Sequence, residues 1–220
     1  MATQHRAIRT RRTILTAAAK VFEQRGYQAA TINEILTTAG VTKGALYFHF
    51  PSKEHLAEGV IHEQDHQPTT PDHPCKTQQI IDTILLHAYR LQTDPLVRAG
   101  VRLTLDPHNH QLNRQAPFQR WTQLGTTLLT QAHNQGELLP HIKPTQTAET
   151  LVGAFAGIQA MSQTLTNYQD LPQRTTTLLQ HILPNTATPT TLTTLDLTHT
   201  RTTTLHTTLT TTQDEYAPAP

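Results

Sequence analysis

Ten residues, Val41-Thr-Lys-Gly-Ala-Leu-Tyr-Phe-His-Phe50, carry four side chains that can donate hydrogen bonds: Thr42, Lys43, Tyr47 and His49. On a short helix the apolar Leu46 and Phe50 turn inward, which leaves those four to face a DNA duplex. Lys43 is suited to base-edge readout, donating to guanine O6 and N7. Tyr47, with Thr31 and Lys53 outside the segment, is suited to phosphates, where a hydroxyl or ammonium sets register without reading sequence. His49 can reach either a phosphate or a base. Gly44 removes a side chain where backbone approaches the nucleic acid. A glycine inside so short a helix otherwise costs up to ~1 kcal/mol without return. The charge distribution agrees: residues 1–55 carry eight basic groups against three acidic ones, and the remaining 165 carry nine against thirteen. A basic head on a mildly acidic body fits a polyanion-binding module joined to a second function.

A second constellation is His62 and His66, four apart, followed by His73 and Cys75. That spacing can set two imidazoles on one metal ion, with two more ligands from a loop. The chain holds 14 histidines, however, and 42 threonines, 16 of them between Thr186 and Thr212. In so biased a composition such spacings arise readily, so no metal site and no cofactor is assigned, and a metal sensor stays a rival reading. An enzyme is not expected, for there is no Gly-rich phosphate loop, no nucleophile elbow and no paired His/carboxylate motif. Trp121 is the only tryptophan, which burial preferences alone would make a core anchor. One cysteine excludes an internal disulfide. The polar, basic start reads as no signal peptide, and no apolar run reaches membrane-spanning length, so a cytoplasmic location is expected.

The elements that must hold these residues are all helical, because apolar residues recur at three- and four-residue spacing and nowhere alternate. The expected fold class is all-α: a three-helix head with a helix-turn-helix, then a larger helical domain. The first helix is expected over about 10–25, with Gly26 as its left-handed stop. Thr31-Ile-Asn-Glu34 forms a capping box for the second, which Gly40 ends, and Thr42 caps the third. A fourth helix follows Pro51-Ser52 and runs to about residue 66. After a Pro-rich loop at 67–74, helices are expected over about 76–92, 95–105, 117–134, 144–165 and 172–183. The division is 1–52 for the DNA-binding head, 53–185 for ligand binding and dimerisation, and 186–220 for a Thr-rich tail. Leu192, Leu195, Leu205 and Leu209 can mark one weak helix there, although threonine forms helices poorly. One short recognition helix reads too few base pairs to be selective, so two heads are needed. Dimerisation is expected through the C-terminal helices, chiefly about 144–165 and 172–183, with the apolar face around Leu178, Leu179, Ile182 and Leu183 as the candidate seam.

Arg12-Thr-Ile-Leu through Phe22, Arg25-Gly-Tyr27, Thr31, Ile35, Ala39-Gly-Val-Thr-Lys-Gly-Ala-Leu-Tyr-Phe-His-Phe50 and Lys53-Glu54 resemble the DNA-binding head of the TetR family of one-component repressors. The Thr-Lys-Gly-Ala-Leu-Tyr-Phe-His-Phe form is similar to the gamma-butyrolactone receptors of antibiotic-producing bacteria. Asp94-Pro-Leu-Val-Arg-Ala-Gly-Val-Arg-Leu103 and Ala116-Pro-Phe-Gln-Arg-Trp121 resemble landmarks of their ligand domain. The resemblance implies a homodimeric repressor on a pseudo-palindromic operator, released when a small molecule such as a gamma-butyrolactone binds the larger domain. It implies a ligand contact for Trp121 and for Gln64 at the inner end of the fourth helix. Phe155, Ile158 and Gln159, on the most apolar helix, are expected to line the same pocket. No Arg or Lys points clearly into it from sequence, which favours a neutral effector with an acyl chain. A pseudo-receptor answering to an antibiotic or precursor, and a ligand-free DNA-binding protein, stay as alternatives.

Overall fold

The computed structural model describes residues 2–63, 70–198, 200–205, 207 and 209. Among these the secondary structure is helical, apart from one isolated antiparallel bridge between Leu138 and Ala187. They fall into two compact units, residues 1–67 with 93–118 and residues 68–92 with 119–220.

The first unit holds helices α1 (Ala2–Ala29), α2 (Ile32–Ala39), α3 (Lys43–His49), α4 (Lys53–Glu63) and α6 (Pro95–Leu105). α1 starts at Ala2 rather than near Thr10, because residues 2–9 contain no helix breaker. Gly26 interrupts it at φ 74°, the left-handed region expected for a helix stop, and one further turn follows. The capping box forms as its spacing requires: Glu34 N–H donates to Thr31 Oγ1 (3.2 Å), and Thr31 N–H donates to Glu34 Oε2 (3.0 Å). Gly40 ends α2 at φ 63°. Thr42 caps α3 by accepting the Ala45 N–H at 3.2 Å. The core joins Ile14, Leu15, Ala18 and Phe22 of α1 to Ile35, Leu46, Phe50, Leu56 and Val60, and to Ala99 and Leu103 of α6. Arg98 Nε donates to Glu23 Oε1 at 2.5 Å and Arg102 donates to the Glu23 carbonyl, which ties α6 to α1.

The second unit holds α5 (Lys76–Thr93), most of α7 (Gln115–Asn134), α8 (Pro144–Thr166), α9 (Leu171–Ile182) and α10 (Pro189–Leu192). Ile80 of α5 packs with Leu128, Leu129 and Ala132 of α7 and with Ala148 and Leu151 of α8. Ile81 and Leu85 pack with Leu179 and Leu183. Of the apolar face expected at the dimer seam, Leu179 and Leu183 are buried inside this chain and Ile182 packs against the Leu128 cluster, while Leu178 is half-buried. Glu137 caps α5 from a distance, its carboxylate accepting the backbone N–H groups of Lys76 (2.9 Å) and Thr77 (2.7 Å) at the positive end of the helix dipole. At the α8–α9 corner Asp170 accepts from Ser162 Oγ (2.6 Å), Thr166 Oγ1 (2.7 Å) and Arg174 Nε (2.8 Å). The Arg174 guanidinium and the two hydroxyls hold its carboxyl well below the usual range.

The Thr-rich segment does not make one helix. α10 stops after four residues, Leu195 and Leu197 pack beside Ile81 and Leu85 without helical geometry, and a helical stretch resumes over 200–205. It is held by polar contacts. Asp196 N–H donates to Gln78 Oε1 (2.7 Å), Gln78 Nε2 donates to the Asp196 carbonyl (3.0 Å), and Arg201 grips the buried Asp82 through Nε (2.5 Å) and Nη2 (2.6 Å).

Candidate functional site

α3 places its side chains as a DNA-reading helix requires. Leu46 and Phe50 are buried in the head, while Thr42, Lys43, Gly44 and Tyr47 are exposed and His49 is half-buried. The Lys43 ammonium lies 5.9 Å from the Tyr47 ring centroid, so both present to one side. A Cβ built on Gly44 meets nothing within 4 Å, so no contact in the protein requires glycine there. The open space fits the close backbone approach assigned to this position.

Two of the expected phosphate contacts are engaged within the chain. The Thr31 hydroxyl donates to Glu34 Oε2 at 2.9 Å, so its one proton serves the capping box. Lys53 donates to the Gln28 carbonyl at 3.3 Å, with its ammonium 4.6 Å from the Tyr27 ring centroid, and this partial burial lowers its pKa. Phe48 carried no role in the sequence, yet its ring is 81% exposed and stands edge-on to His49 at 5.1 Å. An apolar ring held in water beside donors is suited to a thymine methyl.

In the second unit three rings meet. The His87 ring centroid lies 4.7 Å from Trp121 and 5.5 Å from Phe155, which brings α5, α7 and α8 together at one place. Trp121 and Phe155 are half-buried and His87 is 7% exposed. Gln159 follows Phe155 by one turn on the same face of α8 and is 6% exposed. Two buried polar atoms here, His87 Nδ1 and Gln159 Oε1, have no hydrogen-bond partner. Burial, with the Arg90 charge nearby, pushes the His87 pKa down to about 3, so the imidazole is neutral near pH 7. Ile158 is half-buried on α8, and Gln64 lies outside the described residues.

His87 was the residue missed in sequence. The available signal was its place among the apolar residues Ile84, Leu85, Leu86 and Ala88 of α5, and the abundance of histidine hid it. His66 also lies outside the described residues. Among those described, no three His, Cys, Asp or Glu side chains gather as a metal-ligand set. His73 Nδ1 accepts the Cys75 N–H at 3.1 Å, and Cys75 Sγ stands 3.4 Å from Glu137 Oε2. Among the same residues no helix is long and apolar enough to cross a membrane.

Comparison with known proteins places this geometry. Residues 14–60 match the family described as bacterial regulatory proteins, tetR family, and residues 79–187 match the tetracyclin repressor-like C-terminal domain. The chain is 37% identical over 195 residues to the A-factor receptor protein of Streptomyces griseus, covering 86% of this chain and 68% of that protein. The crystal structure of TylP, a TetR regulator from Streptomyces fradiae, superposes with a TM-score of 0.87 at 46% identity, over 93% of this chain and 99% of that one. A gamma-butyrolactone receptor described as ArpA-like gives a TM-score of 0.67 at 28% identity, over 92% and 97%. With its helix-turn-helix head and helical body, the chain belongs to the TetR family of DNA-binding transcription regulators and is not an enzyme.

Proposed function

We propose that the protein is a ligand-responsive repressor that acts in the cytoplasm. As a homodimer it binds a pseudo-palindromic operator through two copies of α3, and a small, uncharged, largely apolar effector of the gamma-butyrolactone kind releases it. The observation that carries the effector half is the ring cluster of His87, Trp121 and Phe155 with two buried, unpartnered polar atoms beside it. Each such atom costs about 1–3 kcal/mol in a closed core, so stability alone does not account for them. Similarity to proteins named as receptors for A-factor and for gamma-butyrolactone supports the effector class.

Release needs an effector that binds the DNA-free form better than the DNA-bound form. The chain passes between the two units at residues 67–68, 92–93 and 118–119. α5 and α7, which carry His87 and Trp121, are therefore covalently continuous with the unit that holds α3. For the homodimer, the face of α8 with Gly153, Gly157, Met161 and Leu165 is the part of the expected C-terminal helices open to a second copy. Met161 and Leu165 are exposed, and a Cβ on either glycine meets nothing within 4 Å. Small residues beside exposed apolar ones let a second copy of α8 approach closely.

Electrophoretic mobility shift on the DNA flanking its own gene, with and without organic extract of the host culture, tests the reading. Release by extract supports it. Retention with every extract and lactone makes the protein a ligand-free DNA binder, and release by zinc makes it a metal sensor.

A further inference from the structure

Resting on the reading of a homodimer paired through α8 on a two-part operator, we infer that Gln92 is a positioning residue that sets which half-site spacing the dimer accepts. Gln92 lies in the last turn of α5 and is the last residue of the second unit before the chain passes to the first. Its Nε2 donates to two backbone carbonyls in the turn between α8 and α9, those of Tyr168 (2.9 Å) and Gln169 (3.1 Å). An amide nitrogen carries two protons, so one side chain serves both. The fork ties the end of α5 to the corner that follows the exposed Met161 and Leu165 of α8. That corner is stiff. Asn167 (φ 50°) and Tyr168 (φ 67°) are consecutive left-handed residues without being glycines, a conformation that persists only where its surroundings over-determine it. Tyr168 is buried, its N–H donates to the Ser162 carbonyl (3.2 Å), and its carbonyl also accepts the Leu171 N–H (3.2 Å). Asp170 adds the bonds from Ser162, Thr166 and Arg174 that join α8 to α9.

Gln92 stands at a crossing where the backbone has freedom. The crossing at 118–119 lies inside α7, a continuous helix, and that at 67–68 lies outside the described residues. The crossing at 92–93 falls at the end of α5, with only Asp94 between Thr93 and the first residue of α6. A break between two helices bends more readily than the interior of one. A fork on the last turn before the break therefore fixes where the chain leaves the second unit. In a homodimer the two exits are related by a two-fold axis, so fixing each constrains the separation of the two copies of α3. That separation has to match the half-site spacing. A rigid pair of heads loses little entropy on an operator of matching spacing and is strained on any other. A loosened pair binds the matching operator less tightly and discriminates less against the rest.

The test uses the full chain, the operator found by mobility shift on the DNA flanking its own gene, and two forms of it with one base pair inserted or removed at the centre. Each changes the half-site separation by about 3.4 Å. The wild type is expected to prefer the original spacing at least about tenfold in competition mobility shifts. Gln92→Glu, which keeps the length but is ionised and offers no donor at about pH 8, should narrow that preference to about threefold or less, as should Gln92→Ala. Selectivity among singly substituted half-sites at the original spacing should stay as in the wild type, whereas simple loss of stability weakens every operator alike. Gln92→Lys, whose ammonium can donate to both carbonyls, should restore the wild-type preference. An unchanged helical circular dichroism spectrum and sedimentation as a dimer show that a variant is folded. If the charge of Gln92→Glu unfolds the chain, Gln92→Ala carries the test. Variants that keep the wild-type spacing preference overturn the inference, as do variants that lose affinity for all operators in proportion, a Gln92→Lys that stays tolerant, or a dimeric wild type indifferent to spacing. A wild type that sediments as a monomer overturns the homodimer reading itself.

Discussion

Lys43 opens α3 with its side chain in solvent and its ammonium near the Tyr47 ring, where no carboxylate holds it among the described contacts. Lys43→Ala is expected to weaken operator binding by ~1–3 kcal/mol and to relax preference at one position in each half-site. Mobility shifts against singly substituted operators measure this, and unchanged selectivity would move the readout elsewhere on α3. At His87 the folded pKa of about 3 lies below the ordinary 6.5. Between those values the unfolded chain holds a proton that the folded chain does not. The contribution is therefore complete above pH 6.5 and is lost as pH falls toward 3, by up to ~1.4 kcal/mol per pH unit. Urea unfolding at several pH values should show a flatter acid limb for His87→Phe than for the wild type. Parallel limbs would mean that His87 titrates alike in both states.

Helix boundaries were legible wherever the stop or cap is local. Thr31, Gly40, Thr42 and Asp94 each do their work within four residues, as the sequence spacing implies. The tail was illegible because its order comes from partners far away in sequence: Arg201 meets Asp82 across 119 positions, and nothing in a threonine run announces that. Removing the guanidinium with Arg201→Ala leaves a buried carboxylate with the Gln78 amide at 2.8 Å, and should cost about 2–3 kcal/mol in denaturant unfolding. No loss would mean that the tail contributes nothing to the second unit. The seam was only partly legible for a related reason. Periodicity identified the apolar face of Leu179 and Leu183, but it does not say whether the same chain or a second copy covers it. Within the head, Gly59 had no visible role, yet a Cβ there would stand 2.9 Å from Phe50 Cε1 and 3.0 Å from Leu15 Cδ2. Gly59→Ala should therefore destabilise the head by ~1–3 kcal/mol, read as a lower thermal midpoint.

For the whole molecule, the candidate site was half legible. The donors of α3 and the indole of Trp121 stand out by residue type, while His87 emerged only when the fold placed it against Trp121 and Phe155. Two heads on one operator require a dimer. Replacing Gly157 with a bulky side chain, Gly157→Leu, on the open face of α8 should shift sedimentation toward monomer at micromolar concentration and lower operator affinity in step. Operator affinity should also fall steeply with salt, since each neutralised phosphate releases counterions. The central claim is that one small molecule at Trp121 governs DNA binding. Because Trp121 is the only tryptophan, one titration of the protein on fluorescently labelled operator with a gamma-butyrolactone reads both events, indole emission and operator anisotropy. Emission and release should share one midpoint, and Trp121→Ala should stay on the operator at the concentration that frees the wild type. Release of Trp121→Ala at that same concentration, or an emission change without release, would contradict the claim.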